Sequence, residues 1–230
     1  MNERPGAFAE YITCPYDLLW MVPSSVTLES AAAVSMCGIT AAQGLFARLR
    51  LPAPFPSPYE SAPLDILESD TSDPINVLVY GSSTSLGLYA AQLVRLTPFP
   101  AGRKLRLIGT ASPKQHDALA QAPYSYDALV DYRDHDWPEK VRHLTGGKGI
   151  DIAIDCISGK GTVGKVHDLL SQKGMLAVFL GPFGDRYDPS KMRVKPAYGV
   201  AWEALGETIG YDGACMILLG YSSKCVVANS

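Results

Sequence analysis

Apolar residues along this chain fall into short, nearly unbroken runs, separated by stretches in which they recur at helical spacing. The runs lie at residues 77–80, 105–112, 128–132, 150–156 and 175–180. Val77, Leu78, Val79 and Tyr80 do not alternate with polar residues, as expected of a strand covered on both faces in a parallel sheet. Helical spacing follows the first run, returns before the glycines of residues 145–149, and marks residues 163–170. Strands that alternate with helices in this rhythm imply right-handed crossovers, so the pattern predicts an α/β fold with a doubly wound parallel sheet of the Rossmann kind.

The segment joining the first strand to the first of these helices carries the chemistry. Gly81 lets the chain turn where a Cβ would clash, and Gly87 permits close packing of the new helix on the strand. Between them Ser82, Ser83, Thr84 and Ser85 offer hydroxyls and backbone N–H groups, followed by Leu86, at a helix N-terminus, where free amides and the helix dipole favour an anion such as phosphate. The spacing departs from Gly-x-Gly-x-x-Gly, because the central position is Ser83 and the loop is one residue longer. A serine-rich helix cap in some other α/β protein is the alternative.

The end of the second run narrows the choice. A dinucleotide fold places there the residue that meets the adenosine ribose, and an Asp or Glu would favour NADH. This chain has Thr110, Ala111, Ser112, Pro113 and Lys114, with a hydroxyl, a cation and no carboxylate. That argues for NADPH, whose 2′-phosphate Lys114 can meet in a charge-assisted contact. An ordinary solvated lysine is the other reading. Tyr132, ending the third run, can lay its ring against an adenine or cap the core.

Composition removes several classes. The chain has 230 residues, of which 47% are hydrophobic, and a net charge of −3. These values suit a globular protein and give no electrostatic case for nucleic acid. No charged segment followed by an apolar stretch suggests a signal peptide, and residues 213–220 are too short to span a membrane. Cys14, Cys37, Cys156, Cys215 and Cys225 contain no Cys-x-x-Cys pair, which suits free thiols in a reducing, cytoplasmic setting. Residues 52–74 carry prolines and then acids and read as a surface loop. Tyr187 and Lys191 have the spacing of a short-chain dehydrogenase pair, but Pro189 between them breaks the helix such a pair needs. Neither residues 146–149 nor residues 159–162 complete a P-loop.

Several segments together resemble the medium-chain dehydrogenase/reductase superfamily: residues 6–12, Val22 and Pro23 with the helix of residues 28–33, residues 81–87, residues 145–155 and residues 174–176. Within it, residues 110–113, 131–133 and 155–157 are most similar to the fungal enoyl reductases that work in trans with polyketide synthases. The resemblance covers residues 5–207. It implies that the loop from Ser82 to Ser85 holds a pyrophosphate and that Ser112 and Lys114 hold the 2′-phosphate. It puts Tyr132 at the adenine, Cys156 and Ile157 at the nicotinamide ribose, Leu180, Gly181 and Pro182 beside the nicotinamide, and Thr40 near the carboxamide.

The resemblance also implies domains and a reaction. Residues 1–24 would be a remnant of a GroES-like catalytic domain whose final strand is residues 6–12. Residues 25–207 would be the NADP-binding domain, and residues 208–230 a divergent tail, so the chain reads as shortened at both ends. The implied reaction is delivery of hydride from NADPH to the β-carbon of an α,β-unsaturated thioester carried on a polyketide synthase, followed by protonation at the α-carbon. No residue is identified as the proton donor. A quinone or enone reductase of the same fold, and an NADPH-binding module without turnover, remain as alternatives. Cys37 stands where superfamily alcohol dehydrogenases have a third zinc ligand, but His116, His135, His143 and His167 lie far from it in sequence, and no metal is expected. Monomer and homodimer are both left open.

Overall fold

Six parallel strands form the sheet, in the order β3-β2-β1-β4-β5-β6. They are β1 (Ile75–Tyr80), β2 (Leu105–Thr110), β3 (Ala128–Val130), β4 (Ile150–Asp155), β5 (Leu170–Val178) and β6 (Ala197–Tyr198). The structure is a computed structural model that describes residues 7–16, 19–56, 73–100, 102–159, 161–182, 186–199, 201, 209–211 and 214–216. The helices are α1 (Leu28–Ala42), α2 (Ser85–Leu96), α3 (His116–Ala120), α4 (Trp137–Leu144) and α5 (Thr162–His167). This is the doubly wound sheet that the strand rhythm predicts, with its order reversing between β1 and β4.

The unbroken apolar run of β1 has a direct cause. Val77 and Val79 point into one cluster with Leu45, Ala90, Val94 and Leu107, while Leu78 and Tyr80 point into another with Ile108, Trp137, Val141 and Val163. Both faces of the strand are therefore buried, and alternation has nothing to select for. Register is regular between β1 and its neighbours, with Tyr80 beside Thr110 on one side and Asp155 on the other.

Several elements differ from the sequence reading. The helix expected over residues 163–170 stops at His167, and Leu170 already belongs to β5. Pairing with β4 jumps from Ile150–Leu170 to Ile152–Met175, so the intervening residues of β5 bulge out of the ladder. Leu169 and Leu170 are buried against the sheet and so extend the apolar spacing past the helix end. The helix of residues 28–33 runs on to Ala42 and continues as a π-helical turn, Gln43–Arg48, that packs under β5 and β6.

Residues 7–15 form no strand, and Phe8 and Tyr11 are exposed. The strand expected over residues 6–12 meets no neighbouring strand among the described residues, and an extended segment without a ladder partner leaves its amides to water. Most of the loop at residues 52–74 lies outside the described residues. In the tail, β7 (Ile209–Tyr211) and β8 (Ala214–Met216) pair antiparallel.

Candidate nucleotide-binding site

The strand order reverses between β1 and β4, and in open α/β sheets the crevice that takes ligands lies outside the carboxyl ends of the strands at such a point. From β1 the chain enters Gly81, which takes a left-handed φ of +83° and donates its N–H to Thr110 Oγ1 at 3.0 Å. Ser82 then turns inward. It is fully buried, its hydroxyl donates to Val79 O at 2.8 Å and its N–H donates to Thr110 O at 2.9 Å. The expectation that Ser82 offers its hydroxyl to a phosphate is therefore corrected: the Gly81 turn directs that side chain into the core.

Thr84 caps α2. Its hydroxyl donates to Gly81 O at 2.8 Å and accepts from Gly87 N at 3.0 Å, so it too is engaged within the loop. Ser83 and Ser85 are exposed, and the N–H groups of Ser83, Ser85 and Leu86 meet no acceptor among the described residues. Unsatisfied amides at the start of a twelve-residue helix are where the helix dipole favours an anion. Gly87 closes the loop from below, since a Cβ there would lie 2.4 Å from Gly81 O.

Across the crevice, β4 ends in a tight turn. Asp155 is fully buried and accepts from Ile157 N at 3.0 Å, Ser158 N at 2.8 Å and Thr162 Oγ1 at 2.7 Å. Desolvation raises its carboxyl above the ordinary value, against the pull of those three donors. Ser158 links the turn to β5, donating to Asp155 O at 2.6 Å and accepting from Phe179 N at 2.8 Å. The turn presents Cys156 and Ile157. Cys156 N donates to Tyr80 O at 3.0 Å, and Ile157 lies over the phosphate loop, its Cγ1 3.0 Å from where a Gly81 side chain would begin. Although Cys156 as a residue is half-buried, its thiol is pushed well above the usual range by desolvation and then by Asp155 and Cys37 nearby, so it is a neutral thiol. Its proximity to Cys37 brings α1 to the same crevice. Thr40, one turn on, donates its hydroxyl to Met36 O at 2.7 Å within its own helix.

Leu180 and Pro182 are exposed beyond β5 with Gly181 buried between them, and Leu180 O accepts from Tyr187 OH at 3.2 Å. At the outer end of the crevice, Ser112 is half-buried at the start of a short turn and makes no side-chain cap bond, and Lys114 is exposed one residue into it. Tyr132 is 46% exposed after β3. Beside it stands a pair that belongs to the 131–133 motif but to which the sequence reading gave no role. Arg133 grips Asp131 through Nε at 3.0 Å and a terminal nitrogen at 2.7 Å, and holds that carboxyl below its usual range. Their spacing, a carboxylate two residues before a guanidinium at a strand end, was a legible signal. Among the described residues no three His, Cys, Asp or Glu side chains gather as a metal site.

The arrangement fits a dinucleotide: free amides at a helix N-terminus, a floor too close for a side chain, an apolar lid at Ile157, and a cation with a hydroxyl at the end of β2. Comparison with known proteins agrees. No protein-family model matches the chain. A trans-enoyl reductase of Penicillium crustosum, traG, is 31% identical over 214 residues, covering 93% of this chain and 54% of that protein. The chain thus spans about half the length of the curated relatives it matches. Among solved structures, the CurK enoyl reductase superposes with a TM-score of 0.60 at 17% identity, over 80% of this chain and 48% of that one, a likeness of fold. A mycobacterial protein solved in complex with NADPH is 26% identical with a TM-score of 0.56, over 84% of this chain and 52% of that one. The resemblance to the fungal trans-enoyl reductases is borne out.

Proposed function

We propose that this relative of the fungal trans-enoyl reductases carries the NADPH site of an enoyl reductase that acts in trans on an α,β-unsaturated thioester held by a polyketide synthase. The observation that carries the reading is the loop after β1, in which Gly81, Thr84 and Gly87 hold the chain while the N–H groups of Ser83, Ser85 and Leu86 have no acceptor among the described residues. The mycobacterial protein solved with NADPH and the absence of a carboxylate at Ser112 and Lys114 support NADPH as the dinucleotide. When bound, NADPH supplies the hydride.

The residues of this chain bind, orient and shield. The loop amides hold the pyrophosphate, and Ser112 and Lys114 meet the 2′-phosphate. Ile157 covers the loop, and Leu180 and Pro182 stand where apolar surface excludes water from the reacting end. Asp155 is bonded to Ile157, Ser158 and Thr162, so it shapes the ribose end of the crevice and is assigned no part as proton donor to the substrate. A reducing cytoplasmic setting suits the free thiols of Cys14, Cys37 and Cys156.

Fluorescence titration of the chain with NADPH and NADH in parallel tests this reading, with Ser112→Asp and Lys114→Ala as variants. Preference for NADPH is expected, and each variant lowers NADPH affinity roughly tenfold or more, the worth of a hydrogen bond to a charged group. Folded protein that binds neither nucleotide overturns the proposal. Turnover of free quinones with none of enoyl thioesters moves the reading to the quinone reductases.

A further inference from the structure

Beneath the phosphate loop sits a phenol with no assigned role. Tyr126, 5% exposed, lies at the end of the connection that leads into β3. Its ring occupies the space over Gly109 of β2, where an added Cβ would stand 2.6 Å from ring carbon Cε1 and 2.4 Å from Ser82 Oγ. Tyr126 and Ser82 thus share one small compartment under the loop. The Tyr126 hydroxyl is buried and finds no hydrogen-bond partner among the described residues. Burial raises the phenol far above its ordinary value and the Ser82 side chain eases that rise, yet the two hydroxyls do not meet in hydrogen-bond geometry.

The two groups are complementary in what they lack. Ser82 Oγ gives its proton to Val79 O and keeps lone pairs free to accept, whereas Tyr126 has a proton and no acceptor. The phenol cannot withdraw to find another partner. Tyr126 N donates to Leu119 O at 3.1 Å, and Asp127 N donates to Leu107 O at 2.9 Å. From α2, Arg95 donates to Ser125 O and, at 2.8 Å, to Asp127 Oδ2, which also accepts from Leu107 N at 2.6 Å. Ser82 Oγ is the acceptor that shares its compartment.

We propose that Tyr126 is a positioning residue for the phosphate loop, and that a dinucleotide drawn onto the loop amides closes a hydrogen bond from the Tyr126 hydroxyl to Ser82 Oγ. A buried hydroxyl without a partner is costly, so the loop position that satisfies it is favoured, and a ligand that prefers that position gains from the phenol. The inference rests on the NADPH reading and adds a residue that touches no part of the nucleotide.

The test combines thermal melting of the free protein with NADPH titration, on the parent chain, Tyr126→Phe, Ser82→Ala and the double variant. Free Tyr126→Phe protein is expected to melt at the parent temperature or about 1–4 °C above it, since an unsatisfied hydroxyl is removed. Its NADPH affinity is expected to fall about 3- to 10-fold, the worth of one hydrogen bond. The double variant should bind no more weakly than Ser82→Ala alone, because the two hydroxyls act as one unit. A parent that binds NADPH with a Tyr126→Phe variant of equal affinity overturns this inference and leaves the cofactor reading standing. Additive losses in the double variant also overturn it, as they assign Tyr126 a purely structural part. A parent that binds no NADPH removes both.

Discussion

Gly87 of α2 lies against Gly81 so closely that a Cβ on Gly87 would stand 2.4 Å from the Gly81 carbonyl oxygen and 2.9 Å from Ser82 Cα. Both opposing atoms are backbone, so a side chain there displaces the phosphate loop itself. Gly87→Ala is expected to destabilise the protein by about 1–3 kcal/mol and to weaken NADPH binding more than tenfold. Gly164 in α5 is the contrast, with nothing near its missing side chain. Gly164→Ala should stabilise by about 0.5–1 kcal/mol and leave binding unchanged. Urea unfolding and NADPH titration of both variants check the pair.

Thr84 holds the same loop from the side of α2. Its hydroxyl bonds Gly87 N at 3.0 Å and Gly81 O at 2.8 Å. Thr84→Ala should cost about 1 kcal/mol of stability, while Thr84→Ser, which keeps the oxygen, loses much less. Chemical denaturation of the two variants separates the lost cap from the lost methyl group.

Trp137 secures the strand that feeds the loop. It is 2% exposed at the start of α4, with its ring 5.1 Å from that of Tyr80, the last residue of β1. Trp137→Ala should destabilise by about 3–5 kcal/mol, as removal of a large buried aromatic does, and Trp137→Phe by considerably less. Denaturation midpoints followed by circular dichroism provide the comparison.

How far these relationships could be read in advance depends on what fixes each residue. The run from Val77 to Tyr80 is legible because both faces of β1 are covered, and Gly81 and Gly87 are legible because sterics leave no other residue room. Ser82, Ser83, Thr84 and Ser85 look alike as hydroxyls in a row. Only the path of the chain after Gly81 sends Ser82 inward and gives Thr84 to the cap. The length of α5 was overread because Leu169 and Leu170 are buried whether or not the helix continues. Tyr126 carried no local signal, since its setting depends on Arg95, 31 positions earlier, being brought to Ser125 and Asp127 by the crossover.

Asp155 gives the stability of this domain a pH dependence of definite sign. Its carboxyl is buried and raised above the ordinary value of 3.8, chiefly by desolvation. The folded state therefore binds its proton more tightly than the unfolded chain does. Between the unfolded value and the raised folded value the native state holds more protons, so this residue's contribution to stability falls as pH rises through that window. Asparagine in its place can still accept from Ile157 N and Ser158 N, while Thr162 can turn its proton to Gly159 O, 3.1 Å away. Asp155→Asn should therefore remain folded and remove this part of the decline, gaining on the parent as pH rises from about 4. Asp155→Leu leaves the two amides and the hydroxyl without their acceptor and should cost on the order of 3 kcal/mol or more at every pH. Urea midpoints of the parent and both variants from pH 4 to pH 8 decide the matter: parallel parent and Asp155→Asn curves would show that the carboxyl is no more protonated in the fold than in the unfolded chain.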